Sequence, residues 1–144
     1  MNHSLTMQQT VLLNATPQKV WNALTNPAII KQYLFGTETV TNWAAGAEII
    51  FQGEYQGYQY RDKGVIQQIE PLQLLQYTYW SSFSGLEDLP ENYSMVMYQL
   101  QPQPGNTTLL TLTQQGFTSP QTLEHSQNNW AMVLKTLKDI VEAG

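Results

Sequence analysis

Cysteine is absent from this 144-residue sequence, and charged residues make up only 12% of it. The missing thiols exclude disulfides, thiol catalysis and cysteine-based zinc sites. The charged share is about half the usual value of roughly 25%. Only six Lys and Arg residues are present, scattered along the chain. They form no basic stripe, so we expect no nucleic-acid partner and no docking on an anionic membrane.

Long hydrophobic runs are also lacking. No apolar segment approaches the roughly 18 residues of a membrane-spanning helix, and no N-terminal segment resembles a secretion signal. We therefore predict a cytoplasmic protein without membrane insertion. What is present is 42% hydrophobic residues, including four Trp and eight Tyr. This content is typical of a packed interior, and the length predicts one domain over residues 1–144.

Three helix starts share one device, a capping side chain followed by proline at the first helical position. Thr16-Pro17 and Asn26-Pro27 predict two short helices, and Ser119-Pro120 predicts a long one that runs to about Ala143. The apolar spacing of the long helix places five residues on one face: Leu123, Trp130, Leu134, Leu137 and Val141. At 1.5 Å per residue this helix would span a domain of this size.

Alternation of apolar and polar residues predicts seven strands. The first covers 6–14, and the remaining six lie between 37 and 115, over 37–41, 47–52, 58–69, 74–80, 93–100 and 108–115. Short turns at 53–57 and 102–106 predict hairpins, and residues 81–91 form the longest loop. Consecutive hairpins indicate an antiparallel sheet, and one long helix against it indicates a two-layer α+β domain.

A single helix cannot cover seven flat strands, because it is only about 10 Å wide while strands lie about 4.8 Å apart. We therefore expect the sheet to curl around the long C-terminal helix. A curled sheet tends to leave a cavity beneath the helix, which is the default binding site of such a domain.

Four segments in order resemble a known family. The opening segment ATPQKVWNALTNPAIIKQY resembles that of the SRPBCC, or START-like helix-grip, superfamily, and within it the group named for the heat-shock-protein-90 ATPase activator. GVIQQIEPLQLLQYTYW, TLLTLTQQGF and NNWAMVLKTLKDIVE are similar to that family's central strand pair, last strand and final helix. The resemblance implies the helix-grip fold. Its members include lipid carriers, aromatic cyclases, hormone receptors and co-chaperone domains, so the fold alone leaves function open.

No catalytic or metal-binding constellation is evident. His3 lies in the N-terminal tail, and His125 points about 200° away from Leu123 on the long helix, toward solvent. The acids of the long loop, Glu87, Asp88 and Glu91, lack the spacing of a calcium loop. We therefore predict no catalytic residue, metal or cofactor.

Aromatic residues are the strongest functional signal. They either fill the core or line the predicted cavity, and the resemblance favours Trp43, Phe51, Trp80 and Trp130 as lining residues. The full predicted lining set is Trp43, Phe51, Tyr60, Trp80, Phe83, Tyr98, Trp130 and Leu134. Met95 and Met97 would either make this wall adaptable or face outward. The 81–91 loop would be either a lid or an ordinary hairpin loop.

Three functions follow as hypotheses. The first is non-catalytic binding of a small apolar or aromatic molecule in the cavity. The second is a cyclase- or hydratase-like enzyme acting on an aromatic or polyketide-type substrate, with a cavity Tyr, Arg61 or a carboxylate such as Glu54 inside. The third is a co-chaperone-like interaction module with a chaperone partner. The scarcity of ionisable groups favours the first.

Overall fold

The predicted helix starts are present in the computed structural model, which describes residues 5–81, 86–117 and 119–143. Helix α1 covers Pro17–Thr25, α2 covers Pro27–Tyr33 and α3 covers Pro120–Glu142. Each starts at its capping residue, whose side chain accepts a hydrogen bond from a backbone amide of the first turn. These caps satisfy amides that the helix itself leaves unpaired. No helix among the described residues has the length and hydropathy needed to cross a membrane.

Among the described residues, seven antiparallel strands form one sheet in the order β1-β7-β6-β5-β4-β3-β2. Their bounds are β1 Leu5–Leu13, β2 Glu38–Val40, β3 Glu48–Tyr55, β4 Tyr58–Glu70, β5 Leu74–Tyr79, β6 Ser94–Gln103 and β7 Thr107–Phe117. Strands β2 to β7 are neighbours in chain order, and β1 pairs with β7 at one edge of the sheet. The α+β helix-grip architecture is thereby confirmed.

Strands β3, β4, β6 and β7 are longer, and the turns beside them tighter, than the sequence pattern predicts. The turn predicted at 53–57 contains only Gln56 and Gly57, because β3 continues to Tyr55, which pairs with Tyr58. Both turn residues have positive φ, as favoured two-residue hairpin turns require. Strand β6 likewise continues to Gln103, into the turn predicted at 102–106. A short 3₁₀ helix over Pro90–Asn92 was not predicted.

The sheet has one interior face, against which the helices pack. Along β5 and β6 this face carries Leu75, Tyr77, Val96 and Tyr98, all buried. Helix α3 contributes Val133, Leu134, Leu137 and Val141 to the same core, while its Leu123 and Trp130 are half-buried. The outer face carries Met95 and Met97, which are only partly buried. The interior face is therefore where a ligand would be enclosed.

Candidate ligand-binding site

A small cavity lies between the first two helices and the interior face of the sheet. It is lined by Leu24, Ile30, Tyr33, Leu34, Trp43, Ile49, Phe51, Leu75, Tyr77 and Tyr98. Its volume of about 10 Å³ has room for one water molecule. Pockets for drug-sized ligands have volumes of roughly 300–1,000 Å³. Side chains therefore fill most of the space beneath the sheet, and a ligand would have to displace some of them.

Aromatic rings form much of the cavity wall and its surroundings. Phe51 packs against Tyr77 and Tyr79, with ring centroids 5.5 and 5.9 Å apart. Tyr98 meets Trp130 of α3 edge to face at 6.1 Å. Edge and tilted arrangements of this kind are the favourable ones for aromatic pairs. The rings thus form a continuous surface from β3 to the long helix.

The phenol groups of the cavity stay neutral. Burial raises the pKa of Tyr33, Tyr77 and Tyr98, because ionisation would place a negative charge in a medium of low polarity. The Tyr33 hydroxyl donates to the Ala23 carbonyl at 2.8 Å, which also joins α2 to α1. These tyrosines therefore act as hydrogen-bonding walls rather than as bases.

A buried carboxylate adjoins the cavity. Asp62 alternates in phase with Gly64 and Ile66 along β4, so its side chain lies on the interior face, 7% exposed. It lies directly opposite Phe51 in the β3–β4 register. The Tyr79 hydroxyl donates to the Asp62 Oδ2 at 2.8 Å. Burial and the Asp62 charge raise the pKa of Tyr79 well above its usual value, so this phenol keeps its proton.

Asp62 marks a polar end of the cavity. Two threonines extend it, namely Thr37 just before β2 and Thr39 within β2. The Thr37 and Tyr60 hydroxyls are hydrogen-bonded at 2.6 Å. Thr39 lies opposite Phe51 on the side away from Asp62, and it is 3% exposed. Within the described part of the chain, the Thr39 hydroxyl has no hydrogen-bond partner. Phe51 is thus flanked by a buried hydroxyl on one side and a buried carboxylate on the other.

Replacing Thr39 with valine should raise the free energy of unfolding by about 1 kcal/mol, because the change removes an unsatisfied buried hydroxyl at nearly constant shape. Thr108→Val is the matched control, since the Thr108 hydroxyl is equally buried but donates to the Ala15 carbonyl at 2.8 Å. That variant should lose about 1–2 kcal/mol. Urea denaturation measures both. A loss of stability in Thr39→Val would indicate that its hydroxyl has a partner in solution.

A second polar network ties the long helix to the sheet. The Gln114 Oε1 of β7 accepts from the Trp130 indole at 2.7 Å and from the Ser126 hydroxyl at 2.9 Å. The Gln114 amide donates to the Ser94 hydroxyl at 3.1 Å. Gln114 is itself buried. Because several good partners meet at one buried amide, the N-terminal half of α3 has a defined position over the sheet.

The cavity is lined by three of the eight residues predicted to line it. Trp43, Phe51 and Tyr98 line the cavity. Trp130 and Leu134 lie on the interior side of α3 without lining it. Tyr60 belongs to the polar end and borders an open groove beside the β3–β4 hairpin, which is otherwise lined by Gln52, Gly53, Glu54, Gln59 and Arg61.

One predicted lining residue, Trp80, lies away from the cavity. Trp80 pairs with Lys63 just after β5, one residue out of phase with Tyr79, so it lies on the outer face. Its indole donates to the Leu86 carbonyl at 3.2 Å. Phe83 lies outside the described residues.

An ion pair holds part of the long loop against the outer face. The Lys63 ammonium lies 2.5 Å from the Asp88 carboxylate, which also accepts from the Tyr93 hydroxyl. The hydrogen bond from Lys63, followed by that from Tyr93, lowers the pKa of Asp88. Residues 86–93 are therefore bound to the outer side of the sheet, away from the cavity.

The residues named for an enzymatic mechanism, Arg61 and Glu54, are exposed. The buried acid is instead Asp62, which the sequence analysis did not single out. The sequence does indicate this position, because Asp62 is spaced by two residues from Gly64 and by four from Ile66, which places all three on the inward face of β4. His125 is exposed on α3, hydrogen-bonded to Asn129. No three potential metal-ligating side chains gather among residues 5–81, 86–117 and 119–143.

Comparison with known proteins agrees with this geometry. Residues 14–142 match the family described as Activator of Hsp90 ATPase homolog 1-like protein. No curated protein sequence matches the chain. The solved structure of ChR145 from Cytophaga hutchinsonii is 39% identical, covering 99% of this chain and 97% of that one, with a TM-score of 0.85.

Two more distant structures share the fold. CalU16 from Micromonospora echinospora is 25% identical, with a TM-score of 0.74, over 94% of this chain and 75% of that one. The Aha1 dimer from Colwellia psychrerythraea is 18% identical, with a TM-score of 0.76, over 97% of this chain and 98% of that one. At 18% identity, the second likeness concerns the fold alone.

Proposed function

The chain belongs to the family of activator of Hsp90 ATPase homolog 1-like proteins, and we propose that it binds a small apolar or aromatic molecule between the interior sheet face and the helices. The observation that carries this proposal is the cavity wall, in which aromatic rings and aliphatic side chains converge from three strands, two helices and the segment at Trp43. Apolar walls with a few adjoining polar groups are typical of small-molecule sites.

Entry through the wall at Leu34 and Trp43 is favoured by the local structure. Both side chains are half-buried, so they separate the cavity from the surface. The Trp43 backbone has φ of 56°, a left-handed conformation that is uncommon for a bulky residue. Conformations of this kind cluster at ligand-binding and switch segments. Displacement of these two side chains would enlarge the cavity without disturbing the strand pairing.

Benzyl alcohol is a suitable first probe, since it is small and largely apolar. We expect saturable changes in the amide NMR signals of Phe51, Tyr77 and Tyr98 during a titration. At tenfold excess over the Kd, binding should stabilise the protein by about 1.4 kcal/mol. For a chain of this size that is a rise in Tm of about 3–6 °C.

Two tryptophan variants separate cavity binding from surface adsorption. Leu34→Trp enlarges a wall residue and should weaken benzyl alcohol binding by about tenfold or more, because the added ring competes for the same space. Leu12→Trp adds the same ring at an exposed position of β1 and should leave binding unchanged. Equal binding by both variants, or signal changes confined to the outer face, would contradict the proposal.

A further inference from the structure

We propose, on the basis of this proposed function, that the preferred ligand carries a protonated amine on its apolar or aromatic body, with the ammonium group at Asp62 and the body against Phe51. The site is the end of the cavity where Phe51 is flanked by Thr39 and Asp62. The inference concerns the class of ligand, which the fold leaves open.

The Asp62 carboxylate lies within reach of a ligand bound in the cavity. Phe51 lines the cavity and Asp62 is its direct cross-strand neighbour, so their Cβ atoms are separated by about 5 Å. Asp62 is also bonded to Tyr79, whose ring packs against Phe51. A ligand ring seated on Phe51 needs an arm of only one or two atoms to bring a polar group to Asp62.

The sign of the charge selects the ligand. All 11 acidic and six basic residues lie in the described part of the chain, and Asp62 is the one acid among them that is buried. A carboxylate ligand would therefore meet a like charge at Asp62, whereas an ammonium group would meet an opposite charge.

The surrounding groups suit an ammonium ion. It has three donors, and a carboxylate has about four acceptor positions and can serve more than one donor at once. The rings of Phe51 and Tyr79 add cation–π attraction, which strengthens when the ion is desolvated.

Four probes of nearly equal size test the inference: benzylamine, benzyl alcohol, benzoate and toluene. Their dissociation constants are measured by NMR titration of the full chain at neutral pH, where the amine is protonated. We expect benzylamine to bind about tenfold or more tightly than benzyl alcohol, as a hydrogen bond to a charged group implies. Benzoate should bind more weakly than either, because it faces the Asp62 charge.

Asp62→Asn keeps the shape of the side chain but removes its charge. In this variant the advantage of benzylamine over benzyl alcohol should fall to about twofold or less. Glu54→Gln is the matched control, since it removes an exposed carboxylate of β3, and it should preserve the preference of the unmodified protein. If Asp62→Asn does not fold, the order of the four probes in the unmodified protein still decides.

The outcomes separate this inference from the proposed function. If benzyl alcohol and toluene bind in the cavity but benzylamine has no advantage, or benzoate binds most tightly, the inference is wrong while the proposed function stands. An amine preference that persists in Asp62→Asn also overturns it. If no probe binds, the proposed function fails, and the inference fails with it.

Discussion

Gly64→Ala is expected to be the most damaging single substitution in this protein, with a loss of about 4 kcal/mol or more in the free energy of unfolding. A Cβ atom at Gly64 would lie 1.6 Å from the carbonyl oxygen of Thr78 and 2.5 Å from its carbonyl carbon. Both atoms belong to the backbone of the adjacent strand β5, so no side-chain rotation relieves the overlap. The two strands would have to separate at the centre of the sheet.

The separation would also disturb the candidate site. Gly64 lies two residues from Asp62, and Thr78 precedes Tyr79, so the Asp62–Tyr79 hydrogen bond spans the same strand pair. Many domains have a total stability of 5–15 kcal/mol. A loss of this size should leave a substantial unfolded population at 37 °C, visible by circular dichroism and by poor dispersion of the NMR spectrum.

Val65→Ala is the control for the glycine variant. Val65 is the next residue of β4, but its side chain is 43% exposed on the outer face. Its truncation should cost less than about 1 kcal/mol. If Gly64→Ala and Val65→Ala have the same urea midpoint, the strands do not approach as closely as described.

Leu137→Ala should have the next largest effect, a loss of about 3 kcal/mol and hence a fall in Tm of about 6–12 °C. Leu137 of α3 is completely buried in the core between helix and sheet. Truncation removes most of a buried side chain and leaves a space that the surrounding strands can close only partly. Differential scanning calorimetry would measure the change.

Met132→Ala provides the comparison on the same helix. Its side chain is 53% exposed, and alanine is at least as good a helix former as methionine. The substitution should change stability by less than about 0.5 kcal/mol. A similar loss in both variants would contradict the expectation that burial of Leu137 against the sheet dominates the stability of α3.

The sequence alone predicts which face of the sheet a residue occupies wherever the alternation of a strand is strict. Strict alternation along β5 identifies Leu75, Tyr77 and Tyr79 as one face, and it places Trp80 on the other. The prediction of Trp80 as a lining residue followed family resemblance instead of this phase. The same alternation along β4 places Asp62 on the interior face and its neighbour Arg61 on the outer one, so the buried acid could have been predicted in the same way.

The sequence by itself determined the elements and their order, since caps such as Thr16-Pro17 and apolar alternation act over a few residues. It also determined that few charges are available for chemistry. Tertiary structure decided how much space remains between the first two helices and the sheet, because the rings of Phe51, Tyr77 and Tyr98 come from segments far apart in the sequence and their packing has no local signal. It also decided that Asp62, Thr39 and Phe51 meet, because cross-strand neighbours depend on register, which is set by strand pairing over the whole sheet.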